Sequence, residues 1–174
     1  FTLLPPASAL EVLCNRMLRD DADGLQHLLT ESPALAHITS SYGRTVLFEA
    51  ILIRKSHLLP VLIQAGADLN ARDHDGVTAL MFAARRGDAG AVNTLLSYGA
   101  DAELMDASGN TALDFALAAG HTSIIGALLN CDETPKLVDL GGFESLQQAL
   151  QRKDEAAVQL LLKNDWCLQR PDQD

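Results

Sequence analysis

A step of 33 residues runs through this chain and constrains everything else about it. Gly43, Gly76, Gly109 and Gly142 keep that step, and so do Leu47, Leu80, Leu113 and Leu146. Ala50, Ala83, Ala116 and Ala149 form a third column, Leu59, Val92, Ile125 and Val158 a fourth, and Leu62, Leu95, Leu128 and Leu161 a fifth. Five columns agree across four units without one inserted residue. A period of this length marks a stacked array, in which one supersecondary unit is copied along an axis.

Within a unit, Leu80, Ala83 and Ala84 are spaced as one face of a short helix, and Val92, Leu95 and Leu96 as one face of a second. Arg86-Gly87-Asp88 supplies the turn between them, with Gly87 for a left-handed position and Asp88 as N-cap. The two helices are therefore antiparallel. Gly66 and Gly99 stand where the second helix stops with positive φ, and Asp73–Gly76 and Asp106–Gly109 read as Asp-x-x-Gly turns. Asp132 and Asp165 take the helix-stop position in the later units. A helix pair this small cannot bury its own apolar face, so the units share one elongated core.

These residues resemble the ankyrin repeat, which is 33 residues long with a T-P-L-H-x-A helix entry. Residues 73–84 (Asp-His-Asp-Gly-Val-Thr-Ala-Leu-Met-Phe-Ala-Ala), followed by Gly87-Asp88, Leu95-Leu96 and Gly99-Ala100-Asp101, are nearest the pattern. The preceding unit reads Gly43-Arg44-Thr45-Val46-Leu47-Phe48-Glu49-Ala50, the following one Gly109-Asn110-Thr111-Ala112-Leu113-Asp114-Phe115-Ala116. None keeps the family's Pro or His: Val46, Ala79 and Ala112 replace the first, Phe48, Met81 and Asp114 the second. The resemblance implies an all-α solenoid of about five helix-turn-helix units joined by β-hairpin-like loops. One domain is expected over 1–174, with an N-terminal capping repeat at 1–39, central repeats at 40–72, 73–105 and 106–138, and a C-terminal capping repeat and tail at 139–174.

In the first unit, Ser8-Ala9-Leu10-Glu11 has capping-box spacing, and Leu25, Leu28 and Leu29 restate the second-helix pattern with a one-residue slip. At the far end, Gln147, Gln148, Gln151 and Arg152 make a first helix polar, as suits a cap whose outer face meets water. Trp166 and Leu168 are expected to fold back on the last helix.

Against 13 Lys and Arg stand 23 Asp and Glu, a formal charge of −10, so a nucleic-acid backbone or anionic lipid surface is repelled overall. Cys14, Cys131 and Cys167 form no C-x-x-C pair and indicate neither a disulfide framework nor zinc. No apolar run approaches the ~18 residues of a membrane span. A monomer in the cytoplasm is expected, or one delivered into a host cytoplasm. The chain begins at Phe1, which allows for a processed leader or a longer parent.

Catalytic motifs are absent: there is no G-x-x-x-x-G-K-[ST], no G-x-S-x-G and no H-E-x-x-H. Asp73-His74-Asp75-Gly76 starts like a calcium loop, but Val77 takes the next ligand position and no Glu closes it. The five histidines lie in separate places along the array. No catalytic residue, metal or cofactor is predicted.

Ankyrin-like proteins typically bind partners with hairpin tips and first helices, and the resemblance carries that use over by register. The implied partner-binding residues are Tyr42, Arg44, Phe48, Leu52, Ile53, Arg72, His74, Val77, Met81, Arg85, Arg86, Met105 and Asn110. The repeat's own core makes no demand on these positions, so large apolar groups there call for an interface, although Leu52 and Ile53 could equally pack on a neighbouring helix. With Arg44, Arg72, Arg85 and Arg86 among them, the centre is expected to be mixed apolar and basic and to receive an acidic or aromatic-bearing segment. The function expected is a protein-protein interaction module, whether scaffold, adaptor, effector or inhibitor. The alternative is a substrate-recruiting or regulatory domain of a larger enzyme whose catalytic part is absent.

Overall fold

The computed structural model describes residues 6–129 and the helical residues 158–159. Eight α-helices occupy the described residues, in pairs: α1 (Pro6–Leu18) with α2 (Ala22–Glu31), α3 (Val46–Leu52) with α4 (Leu59–Gln64), α5 (Ala79–Arg86) with α6 (Ala89–Ser97), and α7 (Ala112–Ala119) with α8 (Thr122–Leu129). Isolated helices this short are not stable in water, so packing must hold them. Each first helix packs on the next first helix (α1, α3, α5, α7) and each second helix on the next second helix (α2, α4, α6, α8). The result is two parallel helix layers with the core between them.

The sequence columns become that core. Leu13, Leu47, Leu80 and Leu113 are buried in the first-helix layer, and Leu25, Leu59, Val92 and Ile125 are fully buried in the second. Ala50, Ala83 and Ala116 are fully buried as well. Their small side chains suit the close approach of the two layers. The expected repeat beyond 129, including Asp132, Gln147, Asp165, Trp166 and Leu168, lies outside the described residues. Among the described residues beyond 129, Val158 packs against the core.

Helix starts follow local chemistry. Thr78 Oγ1 accepts from the Met81 amide at 3.3 Å while Met81 Sδ accepts from the Thr78 amide at 3.4 Å. Thr111 repeats the arrangement with Asp114, whose Oδ2 accepts from the Thr111 amide at 2.8 Å. These reciprocal caps satisfy amides that a helix start would leave open. Asp88 caps α6 through the Ala91 amide, as its position after Gly87 predicts. The first unit departs from expectation: α1 starts at Pro6, two residues before the expected cap position. Proline suits a first helical turn, where its missing N–H has no partner to lose.

The loops between pairs are short hairpins, with single bridges at Thr39–Thr45 and Arg72–Thr78. Asp73 Oδ1 accepts from the Asp75 and Val77 amides, and Asp106 Oδ1 from the Ser108 and Asn110 amides, which fixes each turn. Adjacent tips are tied by backbone bonds, His74 N–H to Tyr42 O at 3.1 Å and Ala107 N–H to Asp75 O at 3.0 Å.

Between the helices of each pair one residue is left-handed: Asp20 (φ 59°), Arg54 (φ 60°), Gly87 (φ 75°) and Gly120 (φ 75°). Asp20 and Arg54 stand 34 apart, which locates the slip of the first unit. Two of the four carry a Cβ that this conformation disfavours. Asp20 has compensation, accepting from Lys55 Nζ at 2.7 Å and pairing with His57 Nε2 at 2.6 Å. The exposed Arg54 side chain has no ion pair among the described residues. Arg54→Gly should therefore stabilise the fold by about 0.5–1 kcal/mol in urea unfolding, whereas Asp20→Gly, which also removes those contacts, should gain less or lose stability. A destabilised Arg54→Gly chain would contradict this reading of the turn.

Candidate partner-binding face

The first helices and hairpin tips meet solvent along one side. The end of each first helix presents a residue there in the same register: Leu18 and Leu52, exposed by 56% and 38%, then Arg85 and Ala118, both exposed. From the tips, Tyr42, Arg72, His74 and Met105 are exposed too, Tyr42 by 66% and Met105 by 49%. Ile53 is half-buried and packs against the core edge.

Three positions expected on this surface are inside the protein. Phe48 and Met81 are 1% exposed and Val77 is 7% exposed. The repeat's core does make demands there, contrary to the sequence expectation. Phe48 turns onto Phe82, with ring centroids 5.4 Å apart at 41°, and Met81 lends its sulfur to the cap of α5. Asn110 is also occupied within the protein, its Nδ2 donating to both carboxylate oxygens of Asp106 at 3.3 and 3.2 Å.

What the sequence reading missed is the position one residue further along. Glu49, Phe82 and Phe115 share a column 33 apart, a signal visible in the period itself. Phe82 gathers the arginines: the guanidinium carbons of Arg44, Arg85 and Arg86 lie 5.9, 5.3 and 5.6 Å from its ring centroid. Arg85 also covers Phe115 at 5.7 Å, and Arg44 covers Tyr42 at 5.4 Å. Each such contact contributes about 0.5–1 kcal/mol near a surface and fixes where the charge sits. Phe82 itself is only 5% exposed, so its ring acts as a floor on which three cations rest.

Counter-charge is scarce. Arg44 Nε stands 3.7 Å from Asp73 Oδ2 and has no hydrogen-bond partner, while its atom is buried. Among the described residues Arg85 and Arg86 have no carboxylate within ion-pair distance. Glu49 is half-buried in the same layer, and burial pushes its carboxyl above the ordinary value, with the nearby Arg44 opposing the rise.

Because the folded state favours protonated Glu49, its contribution to stability falls as pH rises from the ordinary value of 4.5 through the raised one. Glu49→Gln lacks this term. The variant should gain stability relative to the parent chain on raising the pH from 4 to 7 in parallel urea titrations. Carboxylates common to both proteins, such as Asp106, cancel in the difference. A constant difference across that range would show that Glu49 is solvated.

Among the described residues no group of three His, Cys, Asp or Glu could hold a metal ion, and no helix is long and apolar enough to cross a membrane. Residues 62–116 match a family model described as ankyrin repeats in many copies. Over 68 residues, 39% of the chain, it is 37% identical to inversin of Homo sapiens and of Mus musculus and 40% identical to inversin of Danio rerio. The matched segment spans 6–7% of the length of those relatives. The helix pairs extend the matched period to either side, and the matched segment is similar to ankyrin repeats, which are generally protein-protein interaction modules.

Proposed function

We propose that this chain binds a protein partner through the surface formed by the ends of its first helices and its hairpin tips. The observation that carries the reading is the cluster of Arg44, Arg85 and Arg86 around Phe82, set beside exposed Leu52 and Tyr42. Arginine, tyrosine and exposed aliphatic side chains held in fixed positions are the material of interface hot spots, and scattered single apolar residues are not. The contact set comprises Tyr42, Leu52, Arg72, His74, Arg85, Arg86 and Met105, with Arg44 and Ile53 at its edge. Phe48, Val77 and Met81 act from beneath, by holding that surface rigid.

The role is that of a scaffold, adaptor, effector or inhibitor, consistent with a repeat array that offers an extended surface. A place as the recruiting arm of a larger enzyme uses the same surface. Whole inversin is far longer than this chain, so nothing of its own activity is carried over.

Leu52→Asp combined with Arg85→Glu changes two exposed side chains and should leave helical content and unfolding midpoint within the range of surface substitutions. In affinity capture from native lysate, partners held by the parent chain should be lost with the double variant, a weakening of at least ~30-fold if both residues are hot spots. Capture that is unaffected by a folded double variant would remove this surface from the account.

A further inference from the structure

One column of this face changes chemistry along the array. Leu18 and Leu52 make it apolar on the N-terminal side, Arg85 makes it basic in the next unit, and Ala118 leaves it small in the last described one. Arg86 and Arg44 reinforce the basic step, because both lie over the Phe82 ring with Arg85. Three guanidinium groups around one ring repel each other, and among the described residues only Arg44 of the three has a carboxylate within ion-pair distance.

We infer that this column selects a peptide segment of a protein partner in which an apolar side chain lies about three residues from a pair of carboxylates. The apolar side chain covers Leu52, with Leu18 one step further along, and the carboxylates take the free donors of Arg85 and Arg86. This rests on the protein-binding reading above and specifies its ligand. The spacing follows from the fold: neighbouring first helices lie about 8–10 Å apart, and an extended peptide advances about 3.3 Å per residue. Planar guanidinium forks bind carboxylates through paired hydrogen bonds, which a fixed position on an aromatic floor preorganises. A long polyanion such as nucleic acid is disfavoured, since away from this cluster it meets the acidic remainder of the surface.

The test uses the full chain as bait for a phage library of random 12-residue peptides, with Arg85→Gln/Arg86→Gln as the paired bait. The expected outcome is enrichment of peptides with an apolar residue two to four positions from two Asp or Glu residues. Loss of that enrichment on the folded paired variant should accompany it. For a synthetic peptide of the enriched sequence, exchanging both acids for Asn or Gln should weaken binding by at least ~30-fold and remove most of its salt dependence, with no change made to the protein. Enrichment of purely apolar or basic peptides would overturn the inference while leaving the protein-binding reading standing. So would failure to enrich any peptide, if the capture experiment above still finds a face-dependent partner. Concentration-dependent sedimentation that is abolished by Arg85→Gln/Arg86→Gln would place a second copy of the chain on this face and overturn it as well.

Discussion

Stacking of one helix pair on the next is the interaction on which everything else in this molecule depends. Helices of six to thirteen residues do not persist alone, and each pair leaves apolar faces that only its neighbours can cover. Leu13, Leu47, Leu80 and Leu113 in one layer and Leu25, Leu59, Val92 and Ile125 in the other are the points where that cover is made. Repeating the same contact also repeats the same surface, since a residue one register step away emerges at the same height on the next unit. The exposed column from Leu18 to Ala118 is thus a by-product of the core's regularity, and its side chains were freer to diverge than those buried between the layers.

Divergence is uneven. The second unit carries Arg54 in a left-handed turn that glycine occupies in the next two. Its Thr45 has a buried hydroxyl with no partner, where Thr78 and Thr111 close reciprocal caps. Phe48 stands at the position from which Met81 Sδ and Asp114 Oδ2 accept from the Thr78 and Thr111 amides, and a phenyl ring offers the Thr45 amide no such acceptor; the missing bond from the Phe48 amide to the Thr45 hydroxyl has no structural explanation. What Phe48 supplies instead is packing against Phe82, the ring that positions the arginines. In this unit an aromatic contact beneath the candidate site takes the place of the side-chain acceptor that the next two units offer to the N-cap amide.

Much of this was legible in the sequence, for reasons that can be named. Period, helix pairing, the Gly87-Asp88 turn and the Asp73 and Asp106 turns are dictated by residue types whose backbone preferences are strong, and the structure has them where the pattern put them. The site was legible only in part, because register says which positions align and does not say how far each side chain turns. Phe48, Met81 and Val77 face inward, while Leu52, Arg85 and Arg86 stay outside as expected. Phe82 escaped notice because an aromatic in a helix next to a column of alanines reads as core. It is core, and its use as a floor for three cations depends on where the long arginine side chains lie, which no local pattern encodes.

The claim that one column of the array runs straight from the first unit to the fourth can be measured directly. With the native cysteines replaced by serine, nitroxide labels at positions 18 and 118 would sit three unit steps apart, and pulsed electron–electron spectroscopy reads their separation. The account predicts one narrow distribution centred at about 24–30 Å, three helix-to-helix steps of about 8–10 Å. A broad distribution, or one centred well outside that range, would mean that Leu18, Leu52, Arg85 and Ala118 do not share a face, and would contradict the account at its base.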